Sequence, residues 1–274
     1  MVALWLERPF GGGKENFPMA WYKTFYDEYY FKEYASGLTD ERARKEANFI
    51  NSTLNLPQAA PGATGGARIL DLCCGYGRHT VELAAAGHSM VGQGLSATFL
   101  DLAKDAAAAR NLQIQFVHAD MREIPFEGEF DAVINMFTAF GYFDDTENQK
   151  VLDVVARALK PGGKFLIDLL NTLRIIRDFL PQSWDELSDG TIVLTQRNYN
   201  LLTGYNEECR TYIAPDGSKR EIQLTLRLYF YPELAKMLNC AGLALIQVFG
   251  DYDGSEYTWD SKWMIVLAEK QREA

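Results

Sequence analysis

The sequence predicts an α/β fold built on a parallel sheet with helices on both faces, and three observations favour it. Between residues 68 and 171, short apolar runs typical of strands alternate with amphipathic stretches typical of helices. Such alternation implies right-handed crossovers between parallel strands. The first strand leads into a glycine-containing turn that precedes a helix. Residues 232–274 return to the strand and helix pattern after a segment of different character.

The N-terminal segment, residues 1–60, is predicted to be helical and to end in a linker. Residues 18–50 have a helical pattern with a break near Gly37, and Thr39 or Asp40 fits the N-cap of an amphipathic helix. The stretch NLPQAAPGATGGA, residues 55–67, is rich in turn-forming residues and is typical of a linker.

The core of the fold is predicted within residues 61–171. The predicted strands are RILDLCC (68–74), HSMVGQ (88–93), IQFVHAD (114–120), FDAVINMF (130–137) and KFLIDLLN (164–171). The predicted helices lie at about 77–86, at 97–110 and at 147–160.

Residues 172–231 are predicted to form an antiparallel β insertion. Strand-like runs occur at 191–200, 205–214 and 220–230, and the last two are joined by the turn signal PDGS. Residues 232–274 then predict a helix and a final hairpin that closes the main sheet with one antiparallel strand. The exposed strands of the insertion could also pair across a homodimer.

Composition and charge exclude several kinds of partner. The formal net charge of −10 disfavours nucleic acid, because phosphate backbones are bound by an excess of Lys and Arg. No apolar run approaches the ~20 residues that span a bilayer, and the N-terminus lacks the pattern of a secretion signal. Four cysteines without CxxC spacing and three histidines do not suggest a zinc site. We therefore expect a cytoplasmic protein with no metal, nucleic acid or membrane partner.

The segment ILDLCCGYG, residues 69–77, is the most informative motif. Gly75 and Gly77 allow a tight turn and the close approach of a ligand, and the helix that follows offers free N–H groups. A dinucleotide-binding loop would have a third glycine where this chain has Thr80. The carboxylate of Asp71 would repel a pyrophosphate but suits a ligand with an ammonium or sulfonium group.

This motif resembles the first motif of class I S-adenosylmethionine-dependent methyltransferases of the small-molecule type, with Cys73 in place of the first glycine. Residues 118–143, 159–171 and 231–254 are similar to later motifs of that family, in the same order. The resemblance implies a Rossmann-like, seven-stranded methyltransferase sheet with an N-terminal helical lid. It also implies S-adenosyl-L-methionine as cofactor and S-adenosyl-L-homocysteine as product.

The resemblance implies a cofactor site made of Tyr26, Asp71, Gly75, Tyr76, Gly77, Arg78, Gln93, Gly94, Asp120, Met121, Asn135 and Met136. Asp71 would orient the loop and the amino group of the cofactor. Asp120 would accept a hydrogen bond from the adenine amino group, although it could instead only cap the following turn. Tyr22, Tyr26 and Tyr29 have helical spacing on one face, which fits either a lid or a helix packed on the sheet.

Gly94 departs from the family pattern. In relatives the second strand ends in an acid that binds both ribose hydroxyls, and VGQGLS places Gly94 at that position. Strand alternation points the neighbouring Gln93 to the opposite face. Three explanations stay open: Gln93 turns in, Ser96 or a water binds the hydroxyls, or the pocket has changed its ligand.

Methyl transfer from a sulfonium is an in-line displacement that needs a general base only for some acceptors. The candidate catalytic groups are His79, His118 and Tyr142. The acceptor pocket is predicted between the lid, residues 135–145 and the insertion. Its candidate side chains are Phe137, Phe140, Tyr142, Phe143, Arg197, Tyr199, Tyr205, Arg210, Arg227 and Tyr229.

Such a lining suits a small organic acceptor. The predicted function is transfer of the methyl group to an oxygen, nitrogen or carbon atom of that acceptor. One alternative is a methyltransferase-fold protein that binds cofactor or substrate without transferring methyl, such as a cyclase or isomerase. The missing acid at Gly94 favours this alternative. Another is an NADP-dependent oxidoreductase, which Asp71 and Thr80 disfavour.

Overall fold

A computed structural model describes residues 20–34, 37–59 and 65–272. A 3₁₀ turn spans Trp21–Lys23. The α-helices are α1 (Glu28–Tyr34), α2 (Asp40–Leu54), α3 (Arg78–Ala85), α4 (Ala97–Ala109), α5 (Asp145–Ala158), α6 (Thr172–Arg177) and α7 (Tyr231–Cys240). The strands are β1 (Arg68–Leu72), β2 (Ser89–Gly94), β3 (Gln115–His118), β4 (Phe130–Asn135), β5 (Leu159–Leu170), β6 (Gln182–Glu186), β7 (Ile192–Asn200), β8 (Tyr205–Ile213), β9 (Lys219–Arg227), β10 (Leu243–Phe249) and β11 (Trp263–Lys270).

The main sheet has seven strands in the order β10-β11-β5-β4-β1-β2-β3. Strands β3, β2, β1, β4 and β5 pair in parallel, and β11 pairs antiparallel with both β5 and β10. The α/β prediction and the closing antiparallel strand are therefore confirmed. Strand order reverses between β1 and β4, and the crevice at such a point is where open α/β sheets bind ligands.

Alternation along β1 explains how the sheet is covered on both faces. Leu70 and Leu72 are buried in one hydrophobic cluster, whereas Ile69 is buried in the other. Successive strand side chains point to opposite faces, so each strand contributes to both cores. Helical packing on both sides follows from this two-sided burial.

The insertion forms a separate antiparallel sheet in the order β6-β7-β8-β9. The PDGS turn joins β8 to β9, and the Ala214 N–H donates to the Ser218 carbonyl at 3.0 Å. The edge strand β6 was not predicted, because QSWDE lacks an apolar alternation and is half-buried or exposed. The Arg227 N–H donates to the Gly141 carbonyl at 2.8 Å, which joins this sheet to the loop after β4.

The N-terminal helices follow the prediction in part. The Thr39 hydroxyl accepts a hydrogen bond from the Arg42 N–H at 3.2 Å, so Thr39 and not Asp40 caps α2. Residues 24–27 are not helical, so the predicted first helix is shorter than its pattern. Residues 18–19, 35–36 and 60–64 lie outside the described residues. No helix among the described residues is long and apolar enough to cross a membrane.

Candidate active site

A cavity of about 300 Å³ lies beside the carboxyl ends of β1, β2 and β4. Three walls enclose it: the main sheet with its loops, the N-terminal turn and α1, and the inner face of the second sheet. Of the residues predicted to bind the cofactor, Tyr26, Asp71, Gly75, Tyr76, Arg78, Gln93, Gly94, Asp120, Met121 and Met136 line the cavity, whereas Gly77 and Asn135 do not.

The turn between β1 and α3 depends on left-handed backbone conformations. Cys73, at the family's first glycine position, has φ +65°, and Gly75 and Gly77 have φ +55° and +84°. A Cβ on Gly77 would lie 2.9 Å from the Ala103 Cβ, so this glycine lets α3 approach α4. No side chain caps α3, and its first N–H groups are left for a ligand.

Asp71 is buried at the end of β1, with 2% of its surface exposed. The Thr80 hydroxyl donates to Asp71 Oδ2 at 2.5 Å, and within the described residues Asp71 has no salt-bridge partner. Burial raises the pKa of Asp71 to about 7, and the hydrogen bond from Thr80 only partly opposes this effect. A cationic group beside this carboxylate would restore its ionised form.

Gln93 and Gly94 lie at the end of β2, where a family acid was expected. Gln93 is fully buried, and its Nε2 donates to the Ala119 carbonyl while its Oε1 accepts from the Cys73 N–H at 3.0 Å. The Gln93 amide therefore braces the ends of β1 and β3. A Cβ on Gly94 would lie 3.3 Å from Leu100 Cδ2, the flexible end of a side chain.

Asp120 is bound by Arg122, a partner that the sequence did not indicate. Arg122 Nε donates to Asp120 Oδ1 at 3.0 Å and Nη2 donates to Oδ2 at 2.8 Å. Burial alone would raise the pKa of Asp120, but the hydrogen bonds from Arg122 outweigh it and lower that pKa. The neighbouring Met121 Sδ lies 3.7 Å from Cys73 Sγ.

None of the three candidate catalytic groups both lines the cavity and lacks a hydrogen-bond partner. His79 Nε2 lies 2.8 Å from Glu46 Oε2, and burial together with the charge of Arg78 lowers the pKa of His79 to about 4. His118 is exposed, bonds to the Leu95 carbonyl and does not line the cavity. Tyr142 does line it, but burial raises its pKa and its hydroxyl is hydrogen-bonded to that of Tyr26.

Glu46 joins α2 to the first residues of α3. Its carboxylate accepts hydrogen bonds from Arg42 Nε at 2.6 Å, from Arg78 and from His79. Burial alone would raise the pKa of Glu46, but these partners lower it to about 2. Sequence reasoning missed this cluster because its members are brought together only by the tertiary fold.

The N-terminal wall is aromatic: Trp21, Tyr22, Phe25, Tyr26, Tyr30 and Tyr34 line the cavity. The prediction that Tyr22, Tyr26 and Tyr29 share one face is wrong for Tyr29. Its ring packs on Tyr212, with the centroids 5.1 Å apart, because residues 24–27 interrupt the helix and change the spacing.

The second sheet supplies the polar wall. Inward-facing residues of β8 and β9 line the cavity, namely Asn206, Glu208, Arg210, Leu224 and Leu226. Of the side chains predicted for the acceptor pocket, Phe137, Tyr142, Phe143 and Arg210 line it, whereas Phe140, Arg197, Tyr199, Tyr205, Arg227 and Tyr229 do not. Arg227 instead pairs with Asp145 and Glu233, outside the cavity.

Comparison with known proteins decides the family. A model described as a methyltransferase domain matches residues 69–163. The chain is 38% identical over 192 residues to a demethylmenaquinone methyltransferase of Clavibacter sepedonicus, covering 69% of this chain and 70% of that one. The chain belongs to the S-adenosylmethionine-dependent methyltransferases. It is also 25% identical to a glycine/sarcosine N-methyltransferase of Halorhodospira halochloris, covering 89% of this methyltransferase and 91% of that protein.

Solved structures support the fold of this methyltransferase. A S-adenosylmethionine-dependent methyltransferase from Clostridium acetobutylicum superposes with a TM-score of 0.74 at 16% identity, covering 89% of this chain and 97% of that one. A cofactor-bound amino pentose methyltransferase from Micromonospora echinaspora superposes with a TM-score of 0.63 at 20% identity. The match covers 89% of this chain and 98% of that one. The cofactor is S-adenosylmethionine. Its ammonium group suits the buried Asp71, which lacks an ion-pair partner among the described residues.

Proposed function

We propose that this methyltransferase transfers the methyl group to a nitrogen atom of a small organic molecule by in-line displacement. When bound, the cofactor supplies an electrophilic methyl group on a sulfonium. A neutral amine attacks such a methyl without a base, whereas a hydroxyl needs one. The choice of nitrogen rests on one observation: none of His79, His118 and Tyr142 both lines the cavity and lacks a hydrogen-bond partner.

The cofactor end of the cavity is assigned to the main sheet and its loops. Asp71 would bind the ammonium group, the uncapped start of α3 would face the carboxylate, and Asp120 with the Met121 N–H would bind adenine. The amide of Gln93 is already bonded at both ends, which favours Ser96 or a water as the partner of the ribose hydroxyls. Of the three explanations for Gly94, this one retains the cofactor and also keeps the two hydrogen bonds of Gln93.

The acceptor end is assigned to the aromatic N-terminal wall and to β8. Aromatic rings from Trp21, Tyr26 and Tyr142 bring electron-rich faces to the cavity, which favour a cationic methyl donor and a methylated ammonium product. Burial by the N-terminal wall excludes water, so only the aligned acceptor competes for the methyl. Named relatives that act on amines include the glycine/sarcosine N-methyltransferase.

Release of S-adenosylhomocysteine from matched panels of small amines, alcohols and carbon acids tests this proposal. Turnover confined to amines supports it. Turnover of alcohols or carbon acids alone would overturn the assignment to nitrogen, and cofactor binding with no turnover of any acceptor would overturn methyl transfer itself.

A further inference from the structure

Two buried polar atoms beside the acceptor end of the cavity have no hydrogen-bond partner within residues 20–34, 37–59 and 65–272. They are Trp21 Nε1, which can only donate, and Asn206 Oδ1, which can only accept. Trp21 is 5% exposed and Asn206 is 7% exposed, so bulk water does not satisfy them. Because most buried polar groups are paired in folded proteins, each of these atoms indicates a missing partner.

The position of the Asn206 oxygen is fixed by its neighbour. Asn206 Nδ2 donates to Glu208 Oε1 at 2.9 Å, which leaves the carbonyl oxygen as the unused atom. Glu208 is held in turn by Arg210, whose Nη2 lies 2.8 Å from Glu208 Oε2. The amide is therefore oriented by a buried ion pair, and a ligand would meet it already in place.

Trp21 lines the same cavity as Asn206, from the N-terminal wall. Its 3₁₀ turn packs against β9. On β9, Leu226 is the register partner of Asn206 and also lines the cavity. The ring of Trp21 lies 4.9 Å from that of Tyr142, centroid to centroid, which places the indole within the aromatic wall.

We propose that Trp21 and Asn206 form a subsite for a hydroxyl group of the acceptor. A hydroxyl both donates and accepts, so it can donate to Asn206 Oδ1 and accept from Trp21 Nε1–H. The inference rests on the proposed function and narrows it: the acceptor is a hydroxylated amine. Of the buried unpartnered polar atoms in the described part of the chain, only these two belong to residues that line the cavity.

The test compares two amines that differ by one hydroxyl, trans-2-aminocyclohexanol and cyclohexylamine. Their dissociation constants are measured by ligand-observed NMR in the presence of S-adenosylhomocysteine, so that binding is read without turnover. The variants are Asn206→Leu and the more conservative Trp21→Phe. The matched control is Thr225→Val, which removes an unpartnered hydroxyl of β9 that does not line the cavity.

The subsite predicts that the natural sequence binds the amino alcohol about tenfold more tightly, the scale of one or two buried hydrogen bonds. Both cavity variants should lose this preference and Thr225→Val should keep it. Equal binding of the two amines, binding of neither, or a preference that survives in both cavity variants would overturn the subsite and leave the two atoms to an ordered water.

Release of S-adenosylhomocysteine from the same two amines separates this inference from the proposed function. A hydroxyl preference in binding with no release would overturn transfer to nitrogen while leaving the subsite intact. Equal release from both amines, with no preference in binding, would leave transfer to nitrogen intact and overturn the subsite.

Discussion

In the proposed cofactor site, the charge of Asp71 is coupled to ligand binding. It is buried at the end of β1, Thr80 donates to it, and burial raises its pKa to about 7. A carboxyl group with a raised pKa stabilises the folded state in its protonated form. That stability is fully present below the ordinary carboxyl pKa, near 3.8, and is lost as the pH rises through about 7. The proposed bond from Asp71 to the cofactor ammonium needs the ionised carboxylate, so we expect cofactor binding to release a proton near neutral pH.

The variant Asp71→Asn separates stability from binding. The amide cannot ionise, so at about pH 8 the variant should melt at a higher temperature than the natural protein, and this gain should shrink by about pH 5. Cofactor binding should be lost at both values. Thermal melting and calorimetric titration at the two pH values measure this, and a variant that binds the cofactor normally would contradict the role of Asp71.

The pKa of Glu46 is shifted in the opposite direction from that of Asp71. Its pKa is lowered to about 2, so its stabilising effect is present above its ordinary pKa of 4.5 and is lost as the pH falls through about 2. Glu46→Gln also leaves Arg78 buried without its carboxylate partner. We expect a loss of about 2–3 kcal/mol in the free energy of unfolding at neutral pH.

Urea unfolding at neutral pH measures this loss. The matched control is Glu41→Gln, an exposed acid in the first turn of the same helix, which should change stability by less than about 0.5 kcal/mol. Equal losses in the two variants would show that Glu46 has no special anchoring role.

At the scale of elements, α1 is held to β8 by a half-buried carboxylate. Glu33 Oε1 accepts from Arg210 Nη1 at 2.8 Å and Glu33 Oε2 accepts from the Tyr212 hydroxyl at 2.5 Å. A second link, between Lys32 and Asp189, is exposed on both sides. Exposed ion pairs contribute little, whereas charge-assisted bonds to a half-buried group contribute more. Glu33 therefore joins the N-terminal wall to β8, in addition to the ion pair between Asp27 and Arg220 that joins it to β9.

Glu33→Gln should loosen α1 without unfolding the protein. We expect amide hydrogen exchange in residues 20–34 to become severalfold faster, because local opening requires less free energy. Asp189→Asn weakens the exposed link and keeps an oxygen that can accept from the Thr191 N–H, so it should leave exchange unchanged. Mass-spectrometric hydrogen exchange measures both variants. The same rate in Glu33→Gln and in the natural protein would show that Glu33 does not hold α1 in place.

The elements differ in how far the sequence predicts them. Strands β1, β2 and β4 follow from short apolar runs that are buried on both faces, and helices α4 and α5 follow from apolar periodicity. Strand β6 was missed because its pairing with β7 depends on backbone bonds and not on an apolar face. At the site, Asp71 and Gly75 were placed by a local motif, whereas Asn206 and Glu46 come into place through long-range packing that spacing does not encode.

At the scale of the whole molecule, both sheets contribute residues to one cavity. The main sheet supplies the turn between β1 and α3 and the end of β2, and the second sheet supplies the polar residues of β8. A ligand that binds only the folded protein stabilises it by mass action. At a cofactor concentration about a hundredfold above Kd, the melting temperature should rise by about 5–10 °C.

Asp71→Asn is the control for this shift and should show none. A thermal melt with and without S-adenosylmethionine measures the effect. An equal shift in the variant would place cofactor binding away from β1.

The claim that cofactor binding survives without a ribose-binding acid is tested most directly by calorimetric titration with S-adenosylmethionine. The titration compares the natural protein with Gly94→Asp and with the neutral control Gly94→Asn. Leu100 Cδ2 can move away from the new Cβ, so the aspartate can be accommodated. We predict micromolar binding by the natural protein, about tenfold tighter binding by Gly94→Asp, and a smaller change for Gly94→Asn. No binding by the natural protein, with binding restored only by the aspartate, would show that the cofactor site has been abandoned and would contradict methyl transfer.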